Sequence, residues 1–314
     1  MTRACKSLLF HGGFLAVLFA AQFVLSDFHH GNLARIMVLS VFAMGYNVLF
    51  GYTGLLSLGH ALFFAAGMYA MGLTTEFLGF GAVASILFAV VASAALSLVV
   101  GALALRTTGV AFMIVTLMLA QAGYLTVLHF GAYTRGDEGI VINDAARTLA
   151  GLDLADPTVR YFAGLLLLAV CMAATLRLVH SPFGHVLIAI RENEERARML
   201  GYDVFRHKLG AVIVSGTLAG TAGAFYGLLF GYVGGTFATV QYSILPLLWV
   251  LLGGAGTVIG PFVGTLFMFY LIDFSSGLTS AYMLVAGVAL VLLTLFAPQG
   301  LAGELRRRVM PWLP

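Results

Sequence analysis

The sequence predicts an all-α polytopic membrane protein of about ten transmembrane helices, some short or broken, with a polar helix between two of them. Three observations carry that expectation. Of 314 residues, 61% are hydrophobic and 9% charged, where a soluble domain carries about 25% charged residues. The apolar residues fall in runs matching the roughly 20 residues that a helix needs to cross a bilayer. The polar residues gather in one stretch, SPFGHVLIAIRENEERARMLGYDVFRHK at 181–208, which holds 9 of the 29 charged residues.

In chain order, the apolar runs place spans at about 8–25, 33–50, 57–74, 81–105, 110–130, 160–179, 209–232, 243–257, 259–273 and 279–297. Together they form a single membrane domain over 1–314. The opening MTRACKSLLF has basic residues and then an apolar run, as a signal peptide would. The run is long for one, and no small-residue cleavage site closes it, so it reads as a retained first span. Glycine in the third, eighth and ninth spans points to broken or short helices, which a bilayer tolerates only where protein or water covers the backbone. Cys5 and Cys171 fall in the N-terminal tail and in a span, so neither a disulfide nor a metal-ligand spacing is expected.

Ten spans put both termini on one side. The segments on that side hold 12 of the 16 Lys and Arg residues, and the opposite side holds Arg35, Arg135, Arg147 and Arg160. Basic residues favour the cytoplasm, so the termini and 181–208 are expected there. The longest external segment, 131–159, is acidic and too short for a domain. Few ionisable groups sit deep in a span, His60 being the main exception. Ion-coupled carriers generally need such groups, so the energy for any pumping is expected to come from outside the bilayer.

The seventh span carries Gly216, Gly220, Gly223, Gly227 and Gly231, with four-residue steps at 216–220 and 223–227–231. Small residues so spaced let helices approach closely, within one chain in the plainer reading and against a second subunit in the other. GYTGLLSLGHALFFAAG at 51–67 starts with Gly51 and holds Ser57 and His60 three apart, on one face if helical. It reads either as a break on a substrate path or as a glycine-packed turn. LLGGAGTVIGPFVG at 251–264 is a similar break on the same membrane side. Thr116 and Gln121 in the fifth span are polar at membrane depth and need partners, as helix bridges or path lining. TRGDEGI at 134–140 is an external turn, a docking edge or simply solvated.

The polar stretch has its own helix signals. Ser181 is placed to cap, Pro182 to start and Gly201 to stop it. Arg191–Glu195, Glu192–Arg196 and Glu194–Arg198 stand four apart, each pair adding roughly 0.2–0.5 kcal/mol. Val186, Ala189, Ile190, Ala197 and Leu200 leave a narrow apolar stripe. Such a helix lies on the membrane surface or in a partner's groove; a solvated loop with helical content is the plainer alternative.

GYTGLLSLGHALFFAAGMYA, VTLMLAQ, RGDEGI, the segment from SPFGHV to GAFYG and LLGGAGTVIGPFVGTL, in this order, resemble the LivM-type permease subunits of branched-chain amino acid ABC importers. The likeness runs from about 33 to 300. It implies a multi-pass permease of a prokaryotic inner membrane, with no enzymatic activity, cofactor or nucleic-acid partner of its own. Its implied partners are a second, LivH-like permease, two cytosolic ATPase subunits that use ATP, and a periplasmic substrate-binding protein. Glu195, Ala197 and Gly201 then match the coupling motif Glu-Ala-Ala-xxx-Gly, with Arg196 in place of its first Ala. Gly51, Ser57, His60, Thr116 and Gln121 become candidates for the substrate path or its gate. Related permeases carry urea, short amides or aromatic acids, so the resemblance leaves the substrate among these classes.

Overall fold

A computed structural model describes residues 3–149, 151–279, 281–297 and 299–308. Its helices, in order, are α1 (Arg3–Ala21), α2 (Asp27–Asn47), α3 (His60–Leu78), α4 (Ala82–Ala104), α5 (Val110–His129), α6 (Gly131–Thr134), α7 (Pro157–His180), α8 (Pro182–Glu192), α9 (Glu194–Met199), α10 (Val204–Phe230), α11 (Val240–Gly253), α12 (Gly260–Leu278), α13 (Tyr282–Phe296) and α14 (Leu301–Arg308). The protein is all-α and polytopic. Among the described residues, seven helices are long and apolar enough to cross a membrane, while α1 and α11 supply shorter apolar segments.

The ten expected spans correspond to α1–α5, α7 and α10–α13, with shifted ends. The first helix stops at Ala21 rather than at 25, and the third starts at His60 rather than at 57. The eighth span is shorter than the bilayer. Helix α11 has 14 residues, about 21 Å of rise, and contains Pro246. It forms a hairpin with α12 across bare backbone, where a side chain on Gly253 would collide with the Gly260 carbonyl and one on Gly264 with the Trp249 carbonyl.

Helices α2 and α10 form the centre. Helix α10 packs against α2, α3 and α4, and α2 also packs against α7 and α12. The glycine ladder of α10 explains its position. Gly216 and Gly220 face Ser97 and Ser93 of α4, while Gly223 lies on the Phe64 carbonyl of α3. Its small face is therefore used within the chain, as the plainer reading holds. Helices α4 and α5 are mostly exposed, with large apolar side chains such as Val91, Leu98, Ile114 and Met118 outward. That is the surface a bilayer or a second membrane subunit covers.

The segment expected to be external is a folded cap. Strand β1 (Ile140–Val141) pairs antiparallel with β4 (Tyr232–Val233), and β2 (Thr148–Leu149) with β3 (Leu152–Asp153). Arg147, buried between them, donates to the carbonyls of Leu228 and Leu229 at 2.9 and 2.5 Å. Carbonyls at a helix C-terminus lack intrahelical partners, so this arginine closes the end of α10. TRGDEGI belongs to the cap: Arg135 faces Glu76 at 3.8 Å, and Gly139 lies against the Val233 carbonyl.

Candidate functional site

The two glycine-rich breaks meet. Helix α2 ends in one π-helical turn, Val48–Tyr52, and the chain then runs extended to Gly59, turning at Gly54 with φ +76°. The Asn47 side chain, fully buried, donates to the Thr257 carbonyl at 2.8 Å and accepts from the Gly256 N–H at 2.9 Å. One amide thus joins the end of α2 to the loop between α11 and α12. Gly51 must lack a side chain here, because a Cβ would collide with Asn47 Oδ1 and lie 2.6 Å from Gly256 N.

Ser57 is not on a helix, so it shares no helical face with His60. Its carbonyl accepts from Tyr46 Oη at 3.0 Å and its hydroxyl from Gly59 N at 3.2 Å. Thr116 of α5 accepts from Leu58 N at 3.2 Å, and Ser243 of α11 from Ala61 N at 2.9 Å. These hydroxyls satisfy backbone donors that broken helices leave open. Thr116 thus ties α5 to the extended segment before α3. Gln121 is part-buried five residues further along α5, and its side chain makes no hydrogen bond among the described residues.

His60 differs from these. It is fully buried, yet neither ring nitrogen has a hydrogen-bond partner among the described residues. Its ring stacks on Phe42 at 5.3 Å and meets Tyr46 edge-on at 5.1 Å. Phe42 and Tyr46, four apart, share a face of α2, and Arg35 lies two turns before Phe42 on the same face. From Phe42 an aromatic column continues through Phe64, Tyr242, Phe237 and Tyr226 to Phe230 at the end of α10. It fills the space between α2, α3, α10 and α11.

The polar stretch forms two helices rather than one. Ser181 caps α8 by accepting from Gly184 N at 3.2 Å, with Pro182 in the first turn. Asn193 then breaks the helix with extended backbone and caps α9, accepting from Arg196 N at 2.9 Å. The break removes two of the expected ion pairs. Among the described residues, only Glu194–Arg198 forms, at 3.1 Å, and Glu194 also holds Lys208 of α10 at 2.6 Å. Arg191 instead turns inward, and its Nη1 donates to the Gly51 carbonyl. Arg306 of α14 donates to the Gly256 carbonyl at 3.2 Å. Arg307 and Arg308 hydrogen-bond to Glu304 and hold its carboxyl below the usual carboxylate range. Helix α9 ends in a Schellman motif: Gly201, at φ +86°, donates to the Arg198 carbonyl, and Tyr202 to that of Ala197.

Glu195 is exposed, whereas Ala197 is buried with Val186, Ile190 and Val204. Leu200, expected on the buried stripe, is instead exposed with Met199, Tyr202 and Phe205 around it. Beside this patch, a cavity of about 610 Å³ opens between α8, α9, the 53–55 turn and the 105–109 turn.

The family model described as branched-chain amino acid transport system / permease component matches residues 31–295. The chain belongs to this family. It is 28% identical to the high-affinity branched-chain amino acid transport system permease protein LivM of Salmonella typhimurium, over 94% of this chain and 75% of that protein. To LivM of Escherichia coli it is 29% identical, over 84% and 68% respectively. The autoinducer 2 import system permease protein LsrC of Klebsiella pneumoniae is 32% identical over 33% of this chain and 32% of its own length. No solved structure matches significantly.

In this permease, the candidate residues fall into two groups joined by Arg191. Glu195, Ala197 and Gly201 lie on the polar helix pair. Gly51, Ser57, His60 and Thr116 lie at the first break, with Gln121 apart from both. Sequence reading passed over Asn47, and took Arg191 only as an ion-pair member and Arg306 and Arg35 only as part of the charge count. Asn47 stood four residues before the glycine-rich segment, at the end of an apolar run, a polar amide in need of partners. Arg35 was read only in the charge count of the side opposite 181–208; α2 starts at Asp27, which puts it in the third turn of a spanning helix.

Proposed function

We propose that this permease is one transmembrane subunit of an ATP-driven ABC importer of branched-chain amino acids (leucine, isoleucine and valine), working by alternating access in the prokaryotic inner membrane. The single observation that carries the coupling is the bond from Arg191 to Gly51, which ties the polar helix pair to the break at the foot of the aromatic column. Two cytosolic ATPase subunits bind α8 and α9 and take the exposed Met199–Phe205 patch. A LivH-like permease completes the membrane part, and a periplasmic binding protein delivers the amino acid. ATP is used by the partner subunits.

The side with α8 and α9 is then cytosolic. Supporting this are the excess of Lys and Arg there and the position of α14, whose Arg306 reaches the same breaks. The branched-chain amino acid transport for which the two LivM relatives are named supports the substrate class. Alternating access requires the ATPase subunits to bind the two states with different affinity, and the Arg191 link lets motion of the helix pair reach the break.

The test is uptake by proteoliposomes holding this chain, the permease and ATPase subunits that co-purify with it, and the cognate binding protein. ATP-dependent uptake of labelled leucine, lost without the ATPase subunits, is the expected result. Uptake driven by an ion gradient in their absence would overturn the ABC reading. Uptake of urea, short amides or aromatic acids in place of leucine would overturn the substrate.

A further inference from the structure

Arg35 and Arg160 form a cluster that the coupling mechanism does not use. Both lie at the end of the bundle opposite α8 and α9, beside the C-terminus of α10. The Arg35 guanidinium stands 5.0 Å from the centre of the Phe230 ring, and that of Arg160 stands 5.5 Å from the same ring. Arg35 is part-buried, and among the described residues it has no hydrogen-bond acceptor and no acid partner; its Nε is buried and unpaired. Arg160 donates Nη2 to the Ala155 carbonyl at 2.8 Å, but its Nε is likewise buried and unpaired.

The nearby acids are engaged elsewhere. Asp156 caps α7, Asp153 accepts from Ala155 N, and Asp144 pairs with Arg147. Two like charges therefore share one aromatic ring, and a ring quadrupole is a weak counterpart to a guanidinium compared with a carboxylate held in two parallel hydrogen bonds. Phe230 also ends the aromatic column, its ring 4.8 Å from that of Tyr226. The cluster thus sets unpaired donors for an anion directly above a stack of apolar rings.

We propose that Arg35, with Arg160 beside it, binds the α-carboxylate of the amino acid as it enters the permease, its aliphatic side chain lying against Phe230 and Tyr226. This rests on the amino acid import reading and adds a specificity-determining residue to it. A ligand with a carboxylate and a branched apolar body satisfies both halves of the site. An amide or amine with the same body satisfies only one.

The test is saturation-transfer NMR on the assembled importer in nanodiscs, without binding protein, using L-leucine, 4-methylpentanoate and L-leucinamide as probes. Leucine and 4-methylpentanoate should give signals at least fivefold above leucinamide, and R35Q should abolish that difference while R35K keeps part of it. R35Q is compared only at wild-type yield and monodispersity, and R160Q, at the helix start, carries the same test if it does not assemble. Equal signals for leucinamide, or an R35Q complex that still discriminates, would overturn the proposal and leave the import reading standing. Arg35-dependent binding of benzoate with no leucine signal would keep the anion site and overturn the substrate reading. A variant that discriminates normally but needs more binding protein for half-maximal ATPase stimulation would make the pair a protein-docking site and overturn the proposal.

Discussion

Nη1 of Arg191, the penultimate residue of α8, donates to the carbonyl of Gly51 in the π-helical turn that ends α2. Residues 140 positions apart in sequence are thus in direct contact. The same guanidinium lies against Gly256, so one side chain from the polar helix touches both glycine breaks. Carbonyls freed by a broken helix need donors, and here the donor comes from the polar helix α8.

Replacing Arg191 with glutamine should therefore uncouple the permease rather than unfold it. Uptake should fall between about 5- and 150-fold, the usual range for a coupling free energy between sites. Co-purification of the ATPase subunits should be unchanged, because the exposed patch of α9 remains. The paired measurements are leucine uptake and subunit stoichiometry in the purified complex. Uptake at wild-type rate would show that the Arg191 link carries no motion.

The Asn47 stitch is a stability prediction. Asn47→Ala leaves the Gly256 N–H and the Thr257 carbonyl buried without their partner, about 1–3 kcal/mol for each such group. Gly51→Ala forces a Cβ against the Asn47 side chain and the Gly256 backbone, and overpacking costs typically about 1–3 kcal/mol. Both variants should lower the unfolding temperature in detergent. Because they act on one contact, the double variant should lose less than the two losses combined. Additive losses would mean that the two residues do not interact.

Gly201 tests the coupling motif by conformation. A side chain there has open space around it but must adopt φ near +86°. Asparagine tolerates that region and valine does not, a difference of roughly 1–2 kcal/mol. Gly201→Asn should keep most uptake. Gly201→Val should lose it while the chain still reaches the membrane, as the Schellman turn opens and the patch from Met199 to Phe205 moves. Uptake that survives valine would remove Gly201 from the coupling role.

These residues also mark how far the sequence could be read. Hydropathy and glycine spacing were sufficient for the fold, because a bilayer fixes helix length and small residues fix close approach. The capping of α8 and the stop at Gly201 were legible for the same local reason. The break at Asn193 was not: charges four apart read as a continuous helix, while the competing demand of Gly51 for a donor, which pulls Arg191 inward, is 140 residues away. Thr116 read as polar at membrane depth, but whether it bridged or lined a path depended on Leu58, which the fold alone brings to it. Arg35 stood near the start of the expected span at 33; because α2 begins at Asp27, six residues earlier, it sits in the third turn of the helix.

His60 separates a structural role from a functional one. Burying a ring with no partner for either nitrogen lowers stability, by about 1–3 kcal/mol for a group so left. If packing were its only task, an apolar residue of similar size would serve better against Phe42, Tyr46 and Phe63. His60→Leu should therefore raise the unfolding temperature, since it removes the orphaned polar atoms and keeps most of the volume. Sites that trade stability for function behave in this way. The same variant should lower leucine uptake at least tenfold if the column opens around His60 and exposes its nitrogens to the passing ammonium or carboxylate. His60→Gln keeps a donor and an acceptor and should retain more activity than leucine at lower stability. A leucine variant that is more stable and transports normally would make His60 a packing residue, and the path would then have to be sought away from the Phe42 face.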